Sequence, residues 1–384
     1  MQRTVFNEDH ESFRQMLRSF IEAEVVALHD EWFAAGIVPR DLYTKLGELG
    51  LFGVSVPEEY GGAGLDTYKF LAVQYEETTR AGVTFGTNVH VLLALPYLKL
   101  LANEAQKKRY LPKFVSGEEM WALAMTEPGT GSDLSGIRST AKLSADGSHY
   151  VLNGAKTFIS GGVHADRVIV AARTSLPRDD DRRFGLSLFA VDTSSQGWTV
   201  GRKLDKLGLR TEDTAELSFV DVKVPAEDLL GEEHRGFSYL GLNLASERWG
   251  IAFASYAQAA AAVRFAQQYV EERQVFGKPV ASFQNTKFEL AACKAEVEAA
   301  QAVADRALEA LDAGELTPAE AASAKLFCTE VAHRVIDRCL QLHGGYGYIN
   351  EYPIARLYAD NRVHRIYGGT SEVMKMIIAK DMGL

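Results

Sequence analysis

The chain has 384 residues and a formal net charge of −10, and 47% of its residues are apolar. This length and this apolar fraction allow two or three domains with sizeable cores and argue against disorder. The acidic balance argues against a general nucleic-acid binder, which needs a basic face, but local arginines can still hold a small anionic ligand.

The cysteines and the apolar segments bear on the cellular setting. Cys293, Cys328 and Cys339 show neither CxxC nor zinc-like spacing, so we expect buried, reduced thiols. No clustered His, Asp and Glu residues have the spacing of a metal site, so no metal is expected. The first residues lack the apolar core of a signal peptide, and the most apolar stretch, 91–102, is too short to span a bilayer. We therefore expect a cytoplasmic protein without a membrane span.

Residues 7–116 show a mostly helical period. Apolar side chains such as Phe13, Leu17 and Phe20 recur at spacings of three and four. The glycine-rich run 61–64 could be read as a phosphate loop, but no lysine-serine pair follows it. A loop between helices is the favoured interpretation of this run.

Strand patterns replace the helical period between about residues 121 and 224. Segments 168–172, 186–191 and 215–224 are typical of β-strands. Turns are predicted at Asp146-Gly147 and at Asn153-Gly154, and the second is expected to open a β-hairpin, because Asn-Gly favours tight turns.

The helical period returns from Gly236 to the end of the chain. A long, alanine-rich helix is predicted from about Ser246 to Gln274. Another helix should start at Thr317, where Thr-Pro-Ala-Glu forms a capping box with proline in the first helical position. The order of helices, strands and helices predicts a helical region, a central β unit and a helical bundle.

Two central segments suit an anionic cofactor with an aromatic ring system. Residues 126–133 hold two glycines and a proline among hydroxyl and acid side chains, so their bare backbone N–H groups can cradle an anion. In the segment 153–160, Phe158 offers a flat face between hydroxyl residues. Such a face beside hydrogen-bonding groups is typical of flavin sites.

Four further segments complete a set of short sequence motifs: 206–210, 273–277, 341–348 and 367–372. Together with the two central segments, and in the same order, they resemble the acyl-CoA dehydrogenase family over nearly the whole chain. The long-chain and isovaleryl types are the most similar. The resemblance implies an α+β fold with an N-terminal helical domain (1–120), a central β-barrel or sandwich domain (121–232) and a C-terminal four-helix bundle (233–384).

The resemblance implies oxidation of an acyl thioester at Cα–Cβ, in which a base removes an α-proton and a flavin accepts the β-hydride, because no side chain can. Many members carry the base as a glutamate where this chain has Gly368. The long-chain and isovaleryl members carry it early in the long helix, in a Glu-Arg pair, which here is Glu247-Arg248. Glu247 is therefore expected to be the base, and Arg248 to tune the carboxylate and the substrate entrance. An ordinary charge pair in a first helical turn is the structural alternative.

The resemblance also implies an FAD site shared between subunits. The backbone N–H of Gly368, with a ribityl hydroxyl of the flavin, would hydrogen-bond the thioester carbonyl. Groups that reach the adenosine half come from a neighbouring subunit in the family, so a homodimer at least, and a dimer of dimers by analogy, is expected. The candidate cofactor contacts are Leu123, Met125, Thr126, Gly131, Ser132, Phe158, Ile159, Ser160, Arg273, Phe276, Gln284, Gln341, Leu342, Gly344, Gly345, Thr370 and Glu372, and the candidate substrate contacts are Ser132, Arg248, Tyr367 and Gly369.

The leading interpretation is an FAD-dependent acyl-CoA dehydrogenase of fatty acid β-oxidation that forms a trans-2-enoyl thioester, with hydride transfer to flavin N5, and passes electrons to an electron-transfer flavoprotein. Alternatives are a flavin oxidase or monooxygenase on the same fold, a dehydrogenase of an acyl group bound to a carrier protein, and a non-enzymatic assembly protein. Glu247 favours the dehydrogenase, because a monooxygenase needs no α-proton base. These residues do not fix the length or branching of the acyl chain.

Overall fold

The structure, a computed structural model, describes residues 3–384, and its first region is helical as predicted. Two π-helical segments, Ile21–Val25 and Val89–Ala94, follow the first helix and precede the fifth. The helices of this region are α1 (Glu8–Phe20), α2 (His29–Ala35), α3 (Asp41–Glu48), α4 (Lys69–Ala81), α5 (Leu95–Leu101) and α6 (Glu104–Val115). The glycine-rich run 61–64 lies in a loop between α3 and α4, as expected.

The central region is one eight-stranded sheet. The strands run in the order β6-β7-β3-β2-β4-β5-β8, and β1 pairs in parallel with β4. The sheet curls around its own core, because Tyr150 on β3 packs on Phe189 on β5 with ring centres 4.9 Å apart, although these strands are not neighbours. The curled sheet agrees with the predicted barrel or sandwich. The strands are β1 (Trp121–Ala124), β2 (Thr140–Leu143), β3 (His149–Ser160), β4 (Arg167–Arg173), β5 (Leu186–Asp192), β6 (Trp198–Lys203), β7 (Thr214–Pro225) and β8 (Leu229–Leu230).

The turn predicted at Asn153-Gly154 is wrong, whereas the turn at Asp146-Gly147 joins β2 to β3 as predicted. Asn153 and Gly154 lie inside β3, where the pairing with β7 shifts register. Gly154 has φ +150°, and a Cβ there would lie 2.2 Å from the Ser139 Oγ. The glycine is therefore needed for a bulge and a close chain approach rather than for a hairpin turn.

The C-terminal region is a helical bundle. Helix α10 packs against α8, α9 and α12, as a four-helix arrangement requires. The long helix α8 starts two residues before its predicted start and ends at Glu272, because the next residues form a short hairpin of β9 and β10. The elements are α7 (Gly236–Leu242), α8 (Leu244–Glu272), β9 (Gln274–Val275), β10 (Lys278–Pro279), α9 (Gln284–Asp312), α10 (Pro318–Leu342), α11 (Pro353–Asn361) and α12 (Ser371–Asp381).

Two local predictions for this region are confirmed. The Thr317 side chain accepts a hydrogen bond from the Glu320 backbone N–H at 3.2 Å, and the Glu320 carboxylate accepts one from the Thr317 N–H, so the capping box starts α10. The three cysteines are buried and free. Within residues 3–384, none of the helices combines the length and apolarity that crossing a membrane would take.

A buried carboxylate joins α1 to α4. Glu77 on α4 is 1% exposed and accepts hydrogen bonds from Arg14 and Arg18 of α1 and from Arg80, at 3.2, 2.8 and 2.8 Å. Burial alone would raise the pKa of Glu77, but hydrogen bonds from Arg18, Arg80 and Arg14 lower it below its ordinary value. The carboxylate is therefore ionised in the folded protein and is shared by three cations, of which Arg14 and Arg80 also pair with other carboxylates.

We predict that Glu77→Gln lowers the free energy of unfolding by about 2 kcal/mol at pH 7, because it removes the ionised acceptor of hydrogen bonds from three half-buried guanidinium groups. The loss should shrink at low pH, since a carboxylate with a lowered folded pKa stabilises the protein above its unfolded pKa and loses this effect as the pH falls through the folded pKa. Urea unfolding measures both. The matched control is Glu11→Gln, which removes another partner of Arg14 that is 53% exposed, and should cost less than about 1 kcal/mol. Equal losses in the two variants would contradict this account.

Candidate active site

Glu247 is a buried carboxylate in the first turn of α8. It is 5% exposed, and its Oε1 accepts a hydrogen bond from Asn243 Nδ2 at 3.1 Å. The same Asn243 Nδ2 donates to the Leu92 carbonyl at 3.0 Å, in the π-helical segment before α5. Asn243 is itself held by the Ser246 hydroxyl, which donates to its Oδ1 at 2.5 Å. The carboxylate is thus fixed to the N-terminal region and shielded from water.

This burial sets the proton affinity of Glu247. Burial raises the pKa of Glu247 to about 7, and the hydrogen bond from Asn243 and the charge of Arg248 act in the opposite direction. A carboxyl group with a pKa near 7 can both accept and release a proton at neutral pH, which an exposed glutamate cannot do well. The environment therefore gives Glu247 the properties of a general base.

Two buried cations accompany Glu247. Arg248 is 5% exposed, and its Nε has no hydrogen-bond partner within the described part of the chain. Lys325 on α10 is 1% exposed; burial lowers the pKa of Lys325 to about 8, and the positive charge of Arg248 acts in the same direction. One carboxylate and two cations leave this buried cluster with an excess of positive charge, which suits an anion.

The turn 367–369 lies against the same helix. Gly368 and Gly369 have φ values of +62° and +96°, in the region that favours glycine. A Cβ on Gly368 would lie 2.5 Å from the Ile251 Cδ1, so the turn touches α8 one helical turn after Glu247. Residues four apart share one face of a helix. The structure thus brings Gly368 and Glu247, far apart in sequence, to the same face of α8.

The loop that contains Thr126 and Gly131 is held to the sheet by a buried ion pair. Lys156 Nζ on β3 donates to the Glu127 carboxylate at 2.9 Å and to the Met125 carbonyl at 3.0 Å. The Glu127 carboxylate also accepts hydrogen bonds from the backbone N–H groups of Arg138 and Ser139, at 2.7 and 2.9 Å. These contacts fix the first residues of the loop, which follows Leu123 and the end of β1.

The structure brings this loop next to the predicted aromatic face. The backbone N–H of Thr157 donates to the Thr126 carbonyl at 2.9 Å, which sets Phe158, Ile159 and Ser160 beside the loop. Ser132 is exposed in the same loop. The predicted contacts of the central region are thus brought together, but Leu123 and Ile159 are buried, at 7% and 2% exposed, whereas Phe158 is open.

Two of the predicted cofactor contacts are exposed aromatic rings on an unusual backbone. Phe158 and Phe276 are 68% and 94% exposed and have φ values of +59° and +50°. A left-handed backbone is unfavourable for a bulky residue and is concentrated at functional sites. Two apolar rings held open in this way fit a flat ring-shaped ligand that covers them.

The remaining predicted cofactor contacts lie on the C-terminal bundle. Arg273, after α8, places its guanidinium carbon 5.6 Å from the Tyr346 ring centre, so the ends of α8 and α10 meet. Gln284 starts α9 beside the Phe276 hairpin, and Thr370 caps α12, where its hydroxyl accepts from the Val373 N–H at 3.3 Å. The bundle group comprises Arg273, Phe276, Gln284, Gln341, Leu342, Gly344, Gly345, Thr370 and Glu372.

The central and bundle groups remain separate. Within residues 3–384, no hydrogen bond, ion pair or aromatic contact joins the loop and strand around Thr126 and Phe158 to the hairpin and loop around Phe276 and Gln341. Within one chain, the predicted contacts around Thr126 and Phe158 and those around Phe276 and Gln341 are therefore not joined into one cluster.

Two residues of this site do not follow from the sequence patterns used above. Asn243 orients Glu247, and the only sequence signal is an amide residue directly before a predicted helix. Lys325 donates to the Tyr367 carbonyl at 2.6 Å and also to the Gly369 carbonyl. Its signal is a lone lysine in the apolar stretch 321–328, which is a poor place for an unpaired charge.

Comparison with known proteins gives consistent matches over the whole chain. The sequence matches the N-terminal, middle and C-terminal domains of the acyl-CoA dehydrogenase family over residues 7–118, 122–222 and 234–383. It is 42% identical over 381 residues to the mitochondrial long-chain specific acyl-CoA dehydrogenase of Sus scrofa, which covers 99% of this chain and 88% of that protein.

Solved structures give the same result. A crystal structure of an acyl-CoA dehydrogenase from Geobacillus kaustophilus superposes with a TM-score of 0.94 at 42% identity and 99% coverage of both chains. An acyl-CoA dehydrogenase from Bacillus anthracis complexed with FAD superposes with a TM-score of 0.91 at 32% identity, over 100% of this chain and 69% of that one.

We predict that the burial of Glu247 makes the folded protein less stable as the pH rises. A carboxyl group whose folded pKa of about 7 exceeds its unfolded value binds more protons in the folded state, so the free energy of unfolding falls between about pH 4.5 and pH 7. Glu247→Gln removes this dependence and should gain about 3 kcal/mol relative to the wild type across that range, at 1.36 kcal/mol per pKa unit. Urea unfolding of both proteins at several pH values measures the difference in their free energies of unfolding. The other titrating groups are the same in both proteins, so their contributions cancel in this difference. A difference that stays constant with pH would contradict the raised pKa.

Proposed function

This chain belongs to the acyl-CoA dehydrogenase family, and from that premise we propose that it uses FAD to oxidise an acyl-CoA thioester to the trans-2-enoyl thioester. The observation that carries the proposal is Glu247, a buried carboxylate with a pKa of about 7 that lies next to buried Arg248, one helical turn before the contact of α8 with the Gly368 turn. A passive charge pair in a first helical turn would be solvated and would not need Asn243 to orient it.

Glu247 is the proposed α-proton base. Its carboxylate sits in a site of low polarity, so its proton affinity is close to what proton abstraction at neutral pH requires. Removal of the α-proton makes Glu247 neutral and creates a negative enolate. Arg248 and Lys325 then stand opposite one negative charge on the substrate instead of one on the protein. The number of negative charges in the site is thus conserved, and the two cations can stabilise the enolate where they stabilised the carboxylate before.

Gly368 is the proposed donor to the thioester carbonyl. Within residues 3–384, no acceptor lies in hydrogen-bond distance of its backbone N–H. A fixed N–H aimed at the position of the developing oxyanion stabilises the enolate and costs no reorganisation during the reaction. Tyr367 and Gly369 frame this donor, in agreement with their proposed substrate contacts, and Ser132 would reach the thioester from the loop of the central region.

FAD fits the residues present, because Phe158 and Phe276 offer open apolar faces and Thr126 and Ser160 offer hydrogen-bonding groups beside one of them. When bound, the flavin supplies at N5 the acceptor for the β-hydride, which no side chain can supply. The hairpin and loop around Phe276 and Gln341 share no hydrogen bond or aromatic contact with the central group of the same chain, as far as residues 3–384 show, which supports a homo-oligomer in which they contact the FAD held by another subunit. We propose a dimer of dimers.

The physiological setting follows from the same premise. We propose that the electron acceptor of the enzyme is an electron-transfer flavoprotein and that the enzyme serves fatty acid β-oxidation in the cytoplasm. A dehydrogenase of a carrier-protein substrate would use the same base and would differ only in the group that carries the acyl thioester. A monooxygenase would have no use for a buried base at Glu247. An oxidase that forms the same enoyl product would use this base too, and it differs in its electron acceptor, which is oxygen.

We predict that anaerobic titration of the purified holoenzyme with short, branched, medium and long acyl-CoAs bleaches the flavin absorbance with at least one class. The reason is that proton removal by Glu247 and hydride removal are completed without oxygen. Absorbance near the flavin maximum measures the bleaching and ranks the chain lengths. A protein that dithionite reduces but no acyl-CoA bleaches would contradict the proposed substrate, and rapid oxygen consumption by the reduced protein would favour the oxidase.

We predict that Glu247→Gln retains FAD but loses about 10³-fold in kcat, since general-base catalysis contributes about 10²- to 10⁴-fold. In the wild type, kcat/KM should rise with pH through about 7, because only the ionised carboxylate accepts the proton. Stopped-flow reduction of the flavin across pH 5.5–8.5 measures both effects (the range is about three units around the pKa). The matched control is Glu8→Gln, which changes an exposed glutamate in the first turn of α1, outside the candidate site. Turnover of Glu247→Gln at the wild-type rate would exclude Glu247 as the base.

A further inference from the structure

We propose that Lys325 is a positioning residue of this reaction: its ammonium group fixes the direction of the Gly368 N–H and strengthens it as the donor to the thioester carbonyl. The proposal rests on the proposed function, in which this N–H faces the enolate oxygen. It adds a residue on α10 that contacts neither the substrate nor the flavin and acts only through the backbone of the turn.

The contacts of Lys325 bracket Gly368. Its Nζ donates to the Tyr367 carbonyl at 2.6 Å and to the Gly369 carbonyl, one residue on either side of Gly368. An ideal Cβ on Gly368 would lie 3.9 Å from this Nζ, so the ammonium sits directly behind the turn. Two successive glycines give this turn more conformational freedom than any other pair of residues could. A double anchor is therefore needed if its N–H groups are to keep one direction.

Because the peptide bond is planar, the hydrogen bonds from Lys325 also fix the direction of the Gly368 N–H. No cis peptide bond occurs within the described residues, so the bond between Tyr367 and Gly368 is trans. In a planar trans peptide, the C=O of one residue and the N–H of the next point in opposite directions. Lys325 holds the Tyr367 carbonyl toward α10, and the Gly368 N–H must therefore point away from Lys325. The same holds for the Gly369 carbonyl and the Thr370 N–H.

The charge of Lys325 also acts on the strength of this donor. A hydrogen bond from a cation to a carbonyl polarises the peptide group, and chains of hydrogen bonds strengthen one another. The Gly368 N–H is the other end of the peptide that Lys325 polarises. A charged donor behind the turn is thus expected to make the N–H facing the substrate a stronger donor than an isolated backbone amide.

The burial of Lys325 is hard to explain by stability alone. The ammonium is 1% exposed, its hydrogen-bond acceptors are two neutral carbonyls, and it forms no ion pair within the described part of the chain. The charged group that affects the Lys325 ammonium, Arg248, is also positive. Removing a charge from water without a counter-charge is strongly unfavourable. A negative charge that forms on the substrate during the reaction would provide the missing partner.

The test compares three variants of the holoenzyme. Lys325→Met keeps the length and apolar stem and removes the donors, Lys325→Gln keeps a neutral donor, and Thr329→Val is the matched control one turn further along α10. Thr329 is equally buried, and its hydroxyl donates only within the helix, to Leu326 O at 3.2 Å. FAD content and the thermal transition are recorded for each.

Two readouts separate positioning from a merely structural role. The first is the infrared stretching frequency of a ¹³C-labelled carbonyl in a trans-2-enoyl-CoA product bound to the oxidised enzyme, which reports how strongly the carbonyl is polarised. The second is kcat against KM. We expect Lys325→Met to retain FAD, to shift the carbonyl frequency back toward its value in water and to lower kcat by about 10²-fold, as loss of an oxyanion donor does, with KM changed much less. Lys325→Gln should lie between Lys325→Met and the wild type, and Thr329→Val should match the wild type.

The proposal is overturned if Lys325→Met keeps the wild-type carbonyl frequency and kcat, or if Thr329→Val shows the same losses. Loss of FAD and of the native thermal transition in both Lys325 variants would make Lys325 a structural residue and would also overturn it. Failure of the wild type to be reduced by any acyl thioester would instead refute the proposed function, so the two failures are distinguishable.

Discussion

The removal of Glu247 from water is the constraint on which the rest of this site depends. A carboxylate at the first turn of a helix would ordinarily be exposed and would have a low pKa. Here α8 buries it against the π-helical segment before α5, and Asn243 keeps one of its oxygens in place. Its raised proton affinity follows from this environment and not from the residue type. The same burial explains why the carboxylate is accompanied by two cations rather than left alone.

The helices around this carboxylate fix the positions of backbone groups in the 367–369 turn as well as the positions of side chains. Helix α8 supplies Glu247 and Arg248, α10 supplies Lys325, and the glycine turn between α11 and α12 lies between these two helices. Close contact is possible because a side chain on Gly368 would collide with Ile251. A glutamate at position 368 could not occupy this arrangement unchanged. A base on α8 and a bare glycine in the turn are therefore two consequences of one packing solution.

The fold follows from the sequence to a large extent, because each region has its own hydrophobic period. The capping box at Thr317 and the strand patterns of the central region specify local structure through short-range contacts. The Asn153-Gly154 turn fails for the opposite reason, because the glycine serves a contact with Ser139, which directly precedes β2. Asn243 and Lys325 could not be predicted, since their roles depend on groups distant in sequence. The pairing of Glu247 with Gly368 was accessible only through resemblance to a family, and periodicity alone does not indicate it.

The most direct test of the central claim, that buried Glu247 removes the α-proton, is hydrogen exchange at the α-carbon. The holoenzyme is incubated in D₂O with an acyl-CoA analogue that cannot lose a β-hydride, and mass spectrometry follows deuterium uptake. The account predicts that the wild type exchanges an α-hydrogen, faster as the pH rises through about 7, and that Glu247→Gln does so at no more than the uncatalysed rate. Exchange by Glu247→Gln at the wild-type rate would show that another group removes the proton and would contradict the account.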